Sequence, residues 1–243
     1  MTMWLSVDPM ADKYPSLSPY NYCAWNPVKL VDPDGREIWI KGSDGNEYQY
    51  KEGKLYNKDG SAYEGNDEFA TRVQKDLNTL KEKGMGEQVE SLDKSKNKHT
   101  IQYRRGKNQT DPGKEGNDKI SNGVGCGTTI DYDPEMTKYD GWSRPAVVGL
   151  AHETQHAYEM DKGKYDKTKV LCVKWKFCNP LTSGPGTRKI TIGDVTLSLC
   201  ESDTKEIERG EYSAIQAANR VYTALGGKSP RRFTTGYAVS QLK

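Results

Sequence analysis

Apolar residues recur at helical spacing in three stretches of the chain. The first stretch begins near Asn66, and its apolar positions lie three or four residues apart, which places them on one face of a helix. These positions are Phe69, Val73, Leu77 and Leu80. We expect this helix to end at Gly84 and Gly86, because glycine commonly terminates helices.

Capping residues indicate where the other two helices begin. The second helix is expected over Ser143–Asp161. Ser143 would be its N-cap, and Pro145 would lie just inside the first turn. The third is expected over Thr204–Leu225. It opens on Asp203 and Glu206, which have the spacing of a capping box, and two glycines follow it.

The segment 37–65 has the pattern of β-hairpins, with apolar residues alternating around turns at Asp44-Gly45 and Asp59-Gly60. The preceding residues 1–36 are rich in Pro and Asp and keep neither a helical nor a strand period. We therefore divide the chain into an N-terminal segment 1–36, a β-hairpin connector 37–65 and a main domain 66–243.

Strands are also expected between the helices. Alternation predicts a half-buried strand from His99 onward and a second strand at Thr128–Tyr132. Residues 105–125 have almost no apolar content and favour a long mobile loop, and residues 162–200 favour a loop-and-hairpin excursion. The expected fold is α+β, a small β-sheet packed on one helix and on a second long helix.

Composition excludes several classes of protein. The 243 residues include 36 Lys and Arg against 34 Asp and Glu, and a net charge of +2 does not suit a chain that mainly binds nucleic acid. No apolar run approaches the ~20 residues of a membrane span, and the N-terminus lacks the pattern of a Sec signal peptide. We expect most of the five cysteines to be reduced. Cys172, Cys178 and Cys200 are close enough in sequence for two of them to form one disulfide bridge.

Two of the three histidines lie in the motif His152-Glu153-Thr-Gln-His156. Residues four apart share one face of a helix, so both imidazoles can bind a single zinc ion. Glu153 lies beside that face, where a carboxylate can take a proton from a metal-bound water. The alternative is an ordinary amphipathic helix whose histidines happen to lie close together.

A catalytic zinc site needs a third protein ligand, and Glu211 is the best candidate. It lies in the middle of an apolar stripe on the predicted last helix, so its carboxylate should point inward. The stripe consists of Ile207, Ala214, Ile215, Ala218, Tyr222 and Leu225. Three alternatives remain open, namely Glu208 as the ligand, His99 as the ligand, and pairing of Glu211 with a buried Arg or Lys. For His99 we expect a partly exposed position on the predicted strand rather than a place among the ligands.

These assignments predict a hydrolytic mechanism. Glu153 would act as the general base while a second donor stabilises the oxyanion. That donor is expected from the tail segment 231–237, as an arginine or as Tyr237, and the alternative for this segment is a solvated basic tail. The strand Thr128–Tyr132 would offer an edge to which an extended peptide adds as a strand.

Residues 4–36 closely resemble the end of the RHS repeat-associated core domain. The similar run begins Trp4-Leu-Ser-Val-Asp-Pro and ends Asp32-Pro33-Asp34-Gly35-Arg36, where the family usually has Leu in the last position. In that family the segment closes a β-shell that packages a C-terminal toxin, and a cut after Asp-Pro-x-Gly frees the toxin. The resemblance implies an RHS shell as a partner.

Residues 50–240 are similar to the effector metallopeptidases of peptidase family M91. The similarity is carried by Gly-Thr-Thr-Ile-Asp-Tyr-Asp-Pro134, by Arg144 through His156, and by Glu211-Tyr-Ser-Ala214. It implies a zincin-like, gluzincin-type fold with Zn²⁺ and proteolysis inside a target cell. It also implies a glutamate at the Glu-x-x-Ala position, which in this chain is Glu211.

The sequence therefore predicts an RHS-associated toxin that cleaves a protein with zinc. The protein would be delivered into a target cell by a specialised secretion system, act in that cell's cytoplasm, and have an immunity protein as a further partner. Two alternatives belong to other classes, namely a non-enzymatic carrier or interaction fragment of an RHS tip, and a toxin that attacks nucleic acid. The balanced charge disfavours the latter.

Overall fold

The computed structural model describes residues 38–113, 116–139, 142–177, 187–192, 195–227 and 235–238. The RHS-like segment 1–36 lies outside these residues. The side chains of Cys172, Cys178 and Cys200 also lie outside the described part, so the expected disulfide stays a prediction. Cys126 is buried and reduced.

Six strands form the main sheet. They are β1 (Ile38–Lys41), β2 (Glu47–Lys51), β3 (Lys54–Tyr56), β4 (His99–Tyr103), β5 (Gln109–Asp111) and β6 (Thr128–Tyr132). Their order across the sheet is β3-β2-β1-β4-β6-β5. The β1–β2 and β2–β3 pairs are antiparallel, which confirms the hairpins predicted from alternation. Strand β1 also pairs in parallel with β4, so the predicted connector shares one sheet with the following residues, and the domain boundaries stay a prediction.

The α-helices of the described residues are α1 (Glu68–Leu80), α2 (Gly86–Asp93), α3 (Val147–Asp161) and α4 (Arg209–Ala224). The prediction for α1 is confirmed, and its N-cap Asp67 accepts a hydrogen bond from the Ala70 amide. A kink at Lys83 and Gly84 follows, where both residues leave helical geometry and Gly84 has a φ of 96°. Gly86 then begins α2 rather than ending a helix, and the sequence pattern did not predict this second helix.

Two predicted helix starts are wrong. Ser143 belongs to a short strand pair, β7 (Lys138–Tyr139) with β8 (Trp142–Ser143), and α3 begins after it with no side-chain cap. The expected capping box before α4 lies in a strand instead, so α4 begins at Arg209. Strand pairing satisfies the backbone of these residues, and this non-local pairing overrides the local capping pattern.

The expected excursion 162–200 belongs to a second, antiparallel sheet that also includes residues beyond it. The strands of this sheet are β9 (Lys169–Phe177), β10 (Thr187–Ile192), β11 (Val195–Glu208) and β12 (Thr235–Ala238), in the order β10-β11-β9-β12. β11 is longer than expected and runs directly into α4. The end of this strand therefore sets where the last helix starts.

Helix α3 lies at the centre of the molecule. It contacts β5 and β6 of the main sheet on one side and α4 on another. Nearly all of its residues are buried, from Val147 through Ala157 and again at Met160 and Asp161. This burial explains why the helix that carries His152 and His156 has apolar residues on more than one face. None of the described helices is both long enough and apolar enough to span a bilayer.

Candidate metal centre

The two motif histidines project from α3 to a common point. Their Nε2 atoms are 3.1 Å apart, and the planes of their rings are 84° from parallel. Both residues are buried. The spacing of one helical turn is the reason for this proximity, because residues i and i+4 lie one above the other on the helix surface.

Glu211 brings a carboxylate to the same point from α4. Its Oε2 atom lies 3.2 Å from His156 Nε2 and 3.3 Å from His152 Nε2. Zinc ligands at 2.0–2.1 Å in tetrahedral geometry are separated from one another by roughly 3.3–3.4 Å. The triangle of two nitrogens and one oxygen therefore has the size of one face of a zinc tetrahedron, and the donor set fits that metal.

The electrostatics of the three side chains favour a positive charge between them. Burial alone would raise the pKa of Glu211, but hydrogen bonds with His152 and His156 outweigh it and hold that pKa far below its usual range. Burial opposes protonation of His156 as well, yet the hydrogen bond to Glu211 and nearby carboxylates raise the pKa of His156. Both shifts favour a positive charge between the imidazole and the carboxylate, and a bound cation would supply such a charge.

Glu153 lies next to this triangle and is only 6% exposed. Its Oε2 atom accepts a hydrogen bond of 3.0 Å from the hydroxyl of Thr110 on β5. The same hydroxyl lies 2.9 Å from the main-chain oxygen of Glu153. A carboxylate held beside a metal-binding group can take and return a proton, which is the role expected of a general base.

These groups line a half-open cleft of about 240 Å³. Its further lining residues come from β5 and the loop before it, from the loop before α3, from the last turn of α3 and from the loop after α3. They are Asn108, Gln109, Thr110, Arg144, Met160 and Tyr165. The lining is mostly polar.

The two alternative ligands, Glu208 and His99, do not belong to this group of three side chains. Glu208 caps the start of α4, where its carboxylate accepts a hydrogen bond of 3.0 Å from the Tyr165 hydroxyl and lies 3.5 Å from the Lys169 ammonium. His99 was expected to be partly exposed, and this is wrong. It is 1% exposed and bonded to Thr128 and Asp161, away from the other histidines.

The start of α4 is fixed by the loop that follows α3. The amides of Arg209 and Gly210 donate to the carbonyls of Thr168 and Asp166, at 2.8 and 2.9 Å. Gly210 is buried against the ring of Tyr165, and a Cβ at this position would lie 2.5 Å from that ring. These contacts position Glu211, the next residue along the helix.

Sequence reasoning missed Thr110 and Tyr165. The predicted loop 105–125 in fact contains β5, and Ile120 within it is buried against Cys126 and Met160, so the expectation of a long mobile loop is wrong. Strand β6 is not an edge either, because β5 covers it. The short polar sequence of β5 carries no strand signal of its own.

The structure describes only part of the predicted tail segment 231–237. Tyr237 lies in β12, opposite Leu171 of β9. Its side chain and both Arg231 and Arg232 lie outside the described part of the structure. The role of Tyr237 as a catalytic donor therefore stays a prediction.

Comparison with known proteins supports a peptidase. A model of the family Peptidase_M91, described as an effector protein, matches residues 57–171. The match includes both motif histidines and Glu153, and it ends before Glu211. No comparison supports an RHS-type segment at residues 4–36. No curated protein matches the chain.

Proposed function

We propose that the protein is a zinc-dependent endopeptidase of the gluzincin-like, HExxH type. The observation that carries this proposal is the triangle formed by His152, His156 and Glu211, with ligand atoms 3.1–3.3 Å apart and Glu153 beside it. When bound there, zinc would supply Lewis acidity that activates water and polarises the scissile carbonyl. A zincin-like fold is part of the same proposal.

The chain's own residues would perform the proton transfers. Glu153 takes a proton from the attacking water on its carboxylate and passes it to the leaving amine. The burial of Glu153 keeps this carboxylate away from bulk water, and Thr110 holds one of its oxygens. Tyr237 is proposed as the donor to the oxyanion, since Tyr165, which lines the cleft among the described residues, already donates to Glu208.

The substrate is proposed to bind along β5. Among the described residues this strand is one of the two edges of the main sheet, and two of its residues, Gln109 and Thr110, line the cleft. An extended peptide can pair its backbone with an open edge while its side chains occupy the cleft. The proposal replaces β6, the edge expected from sequence, with the strand that covers it.

The biological setting is proposed from the matched family, which is described as an effector protein. We propose delivery into a target cell by a specialised secretion system, where the enzyme cleaves a protein as a toxin. An immunity protein and an RHS shell are proposed partners, the latter on the resemblance of residues 4–36 alone. A non-enzymatic carrier is disfavoured, because such a fragment has no need for three buried or half-buried ligands around one point.

The test of this function compares cells that express the parent protein with cells that express Glu153→Gln. New protein N-termini are identified by mass spectrometry, and the variant serves as a matched control with the same fold and metal site. We expect one or a few N-termini that appear with the parent only. Identical sets of N-termini in both cultures would reject proteolysis of a cellular protein in the host that is tested.

A further inference from the structure

Thr110 connects the edge strand of the main sheet to the proposed general base. Its Oγ1 atom lies 3.0 Å from Glu153 Oε2 and 2.9 Å from the Glu153 main-chain oxygen. Thr110 is half-buried in the wall of the cleft, and Glu153 is buried. Both distances are within normal hydrogen-bonding range.

The hydroxyl can satisfy only one of these acceptors at full strength, because it carries a single hydrogen. The main-chain oxygen of Glu153 lies inside α3, where a helical carbonyl already accepts from the amide four residues later. The carboxylate is charged and is therefore the stronger acceptor. The hydroxyl of Thr110 therefore donates its hydrogen bond to Glu153 Oε2.

This bond leaves the two carboxylate oxygens with different surroundings. Oε2 is held by Thr110, whereas Oε1 accepts no hydrogen bond from the described residues. A carboxylate with one oxygen held cannot rotate freely about its last torsion. The other oxygen is thereby kept available for a proton from water in the cleft.

We propose that Thr110 is a positioning residue that orients Glu153 and links its orientation to the substrate-binding strand. This inference rests on the proposed endopeptidase function. Thr110 pairs with Ile130 of β6 on one side of β5, and the other side of β5 is the edge on which a peptide is proposed to add. A peptide that pairs with β5 therefore binds to the same strand that holds the base.

The proposal separates catalysis from binding. Without the hydroxyl, the peptide can still pair with β5 and the ligand triangle stays complete, so KM and zinc affinity should change little. The Glu153 carboxylate would lose its anchor, so kcat should fall. A purely structural role of Thr110 would instead lower the melting temperature and affect all of these quantities.

The experiment uses the full-length, zinc-loaded protein with two variants. Thr110→Val replaces the hydroxyl with a methyl group of similar size, and Thr110→Ser keeps the hydroxyl. For Thr110→Val we expect kcat to fall about tenfold, with KM within twofold and an unchanged zinc Kd. We expect Thr110→Ser to keep kcat within about threefold of the parent. A parental kcat in the valine variant, or an equal loss in both variants, would overturn the proposal.

A readout that does not depend on activity separates this proposal from the proposed function. Crystal structures of the two zinc-loaded variants should show the Glu153 carboxylate displaced in Thr110→Val and in place in Thr110→Ser. If the parent cleaves no substrate, the proposed function fails while this comparison still decides the role of Thr110. An unmoved carboxylate in Thr110→Val would overturn the positioning role, whatever the activity. If the valine variant does not fold, Thr110→Ala is compared with Thr110→Ser in the same way.

Discussion

The carboxylate of Glu211 lies 3.2 Å from His156 Nε2, although 55 residues separate the two in sequence. Helix α4 carries the carboxylate, and buried α3 carries the imidazole. Their contact depends on the packing of these two helices and on the loop that fixes the first turn of α4. Substitutions in each of these parts have distinct expected effects.

The first prediction concerns the choice of the third ligand. Glu211→Gln should weaken zinc binding by at least about a hundredfold, because it removes one of three protein ligands. The matched control is Glu208→Gln, three residues earlier, whose carboxylate contacts Tyr165 instead. We expect its zinc Kd to stay within about fivefold of the parent. Competition with a chromogenic chelator measures both values, and a larger loss in the Glu208 variant would reverse the assignment.

The second prediction concerns the close packing at the start of α4. Gly210→Ala would place a methyl group 2.5 Å from the Tyr165 ring. We expect the free energy of unfolding to fall by about 1–3 kcal/mol, as overpacking of a buried contact typically costs. The cost should shrink in a Tyr165→Ala background, where the ring is absent. Urea denaturation of the four proteins measures this coupling, and strict additivity would contradict the proposed clash.

The third prediction is a pH dependence at the far end of α3. Asp161 is buried there and accepts hydrogen bonds from Ser95, from Asn97 at 2.8 Å and from His99 at 3.2 Å. Burial alone would raise the pKa of Asp161, but the hydrogen bonds from His99, Ser95 and Asn97 outweigh it and hold that pKa well below its usual range. A lowered pKa contributes stability above the unfolded-state value of about 3.9.

Asp161→Asn should therefore cost roughly 2–4 kcal/mol at pH 7. The difference from the parent should stay constant down to about pH 5 and shrink as the pH falls below about 4. Denaturation at a series of pH values measures it, with the exposed Asp118→Asn as the control. A difference that grows toward low pH would contradict a lowered pKa of Asp161 in the folded state.

The fourth prediction distinguishes two tyrosines. Tyr237→Phe should lower kcat by about a hundredfold, the usual cost of losing one oxyanion donor. Tyr165→Phe should lower it less, because the Tyr165 hydroxyl already donates to Glu208 at 3.0 Å. Zinc content should be unchanged in the Tyr237 variant. Steady-state kinetics of both variants decide the matter, and a stronger effect at Tyr165 would move the donor role to that residue.

The inward position of Glu211 could be predicted from sequence even though the start of its helix could not. The predicted start at Thr204 was five residues too early, because β11 continues to Glu208. The angular phase of the apolar stripe does not depend on where the helix begins, so the inward position of Glu211 survived this error. The spacing of His152 and His156 is also a local feature. It predicted that the two imidazoles lie close together, although the predicted start of their helix was wrong.

What the sequence could not show depends on contacts between distant segments. His99 was expected to be partly exposed, but its partner Asp161 is 62 residues away and encloses it in a polar cluster. Thr110 lies in a strand of three polar residues that exists only because it pairs with β6. No local period marks such a strand, so neither the cleft wall nor the contact with Glu153 was predictable.

The central claim is that the three ligand residues hold zinc while Glu153 moves the proton. It is tested most directly by Glu153→Gln, assayed for zinc content by atomic absorption and for hydrolysis of a protein that the parent cleaves. We predict that the variant retains about one equivalent of zinc and that its hydrolysis falls by about a thousandfold. A variant that binds zinc and cleaves as fast as the parent would contradict the account.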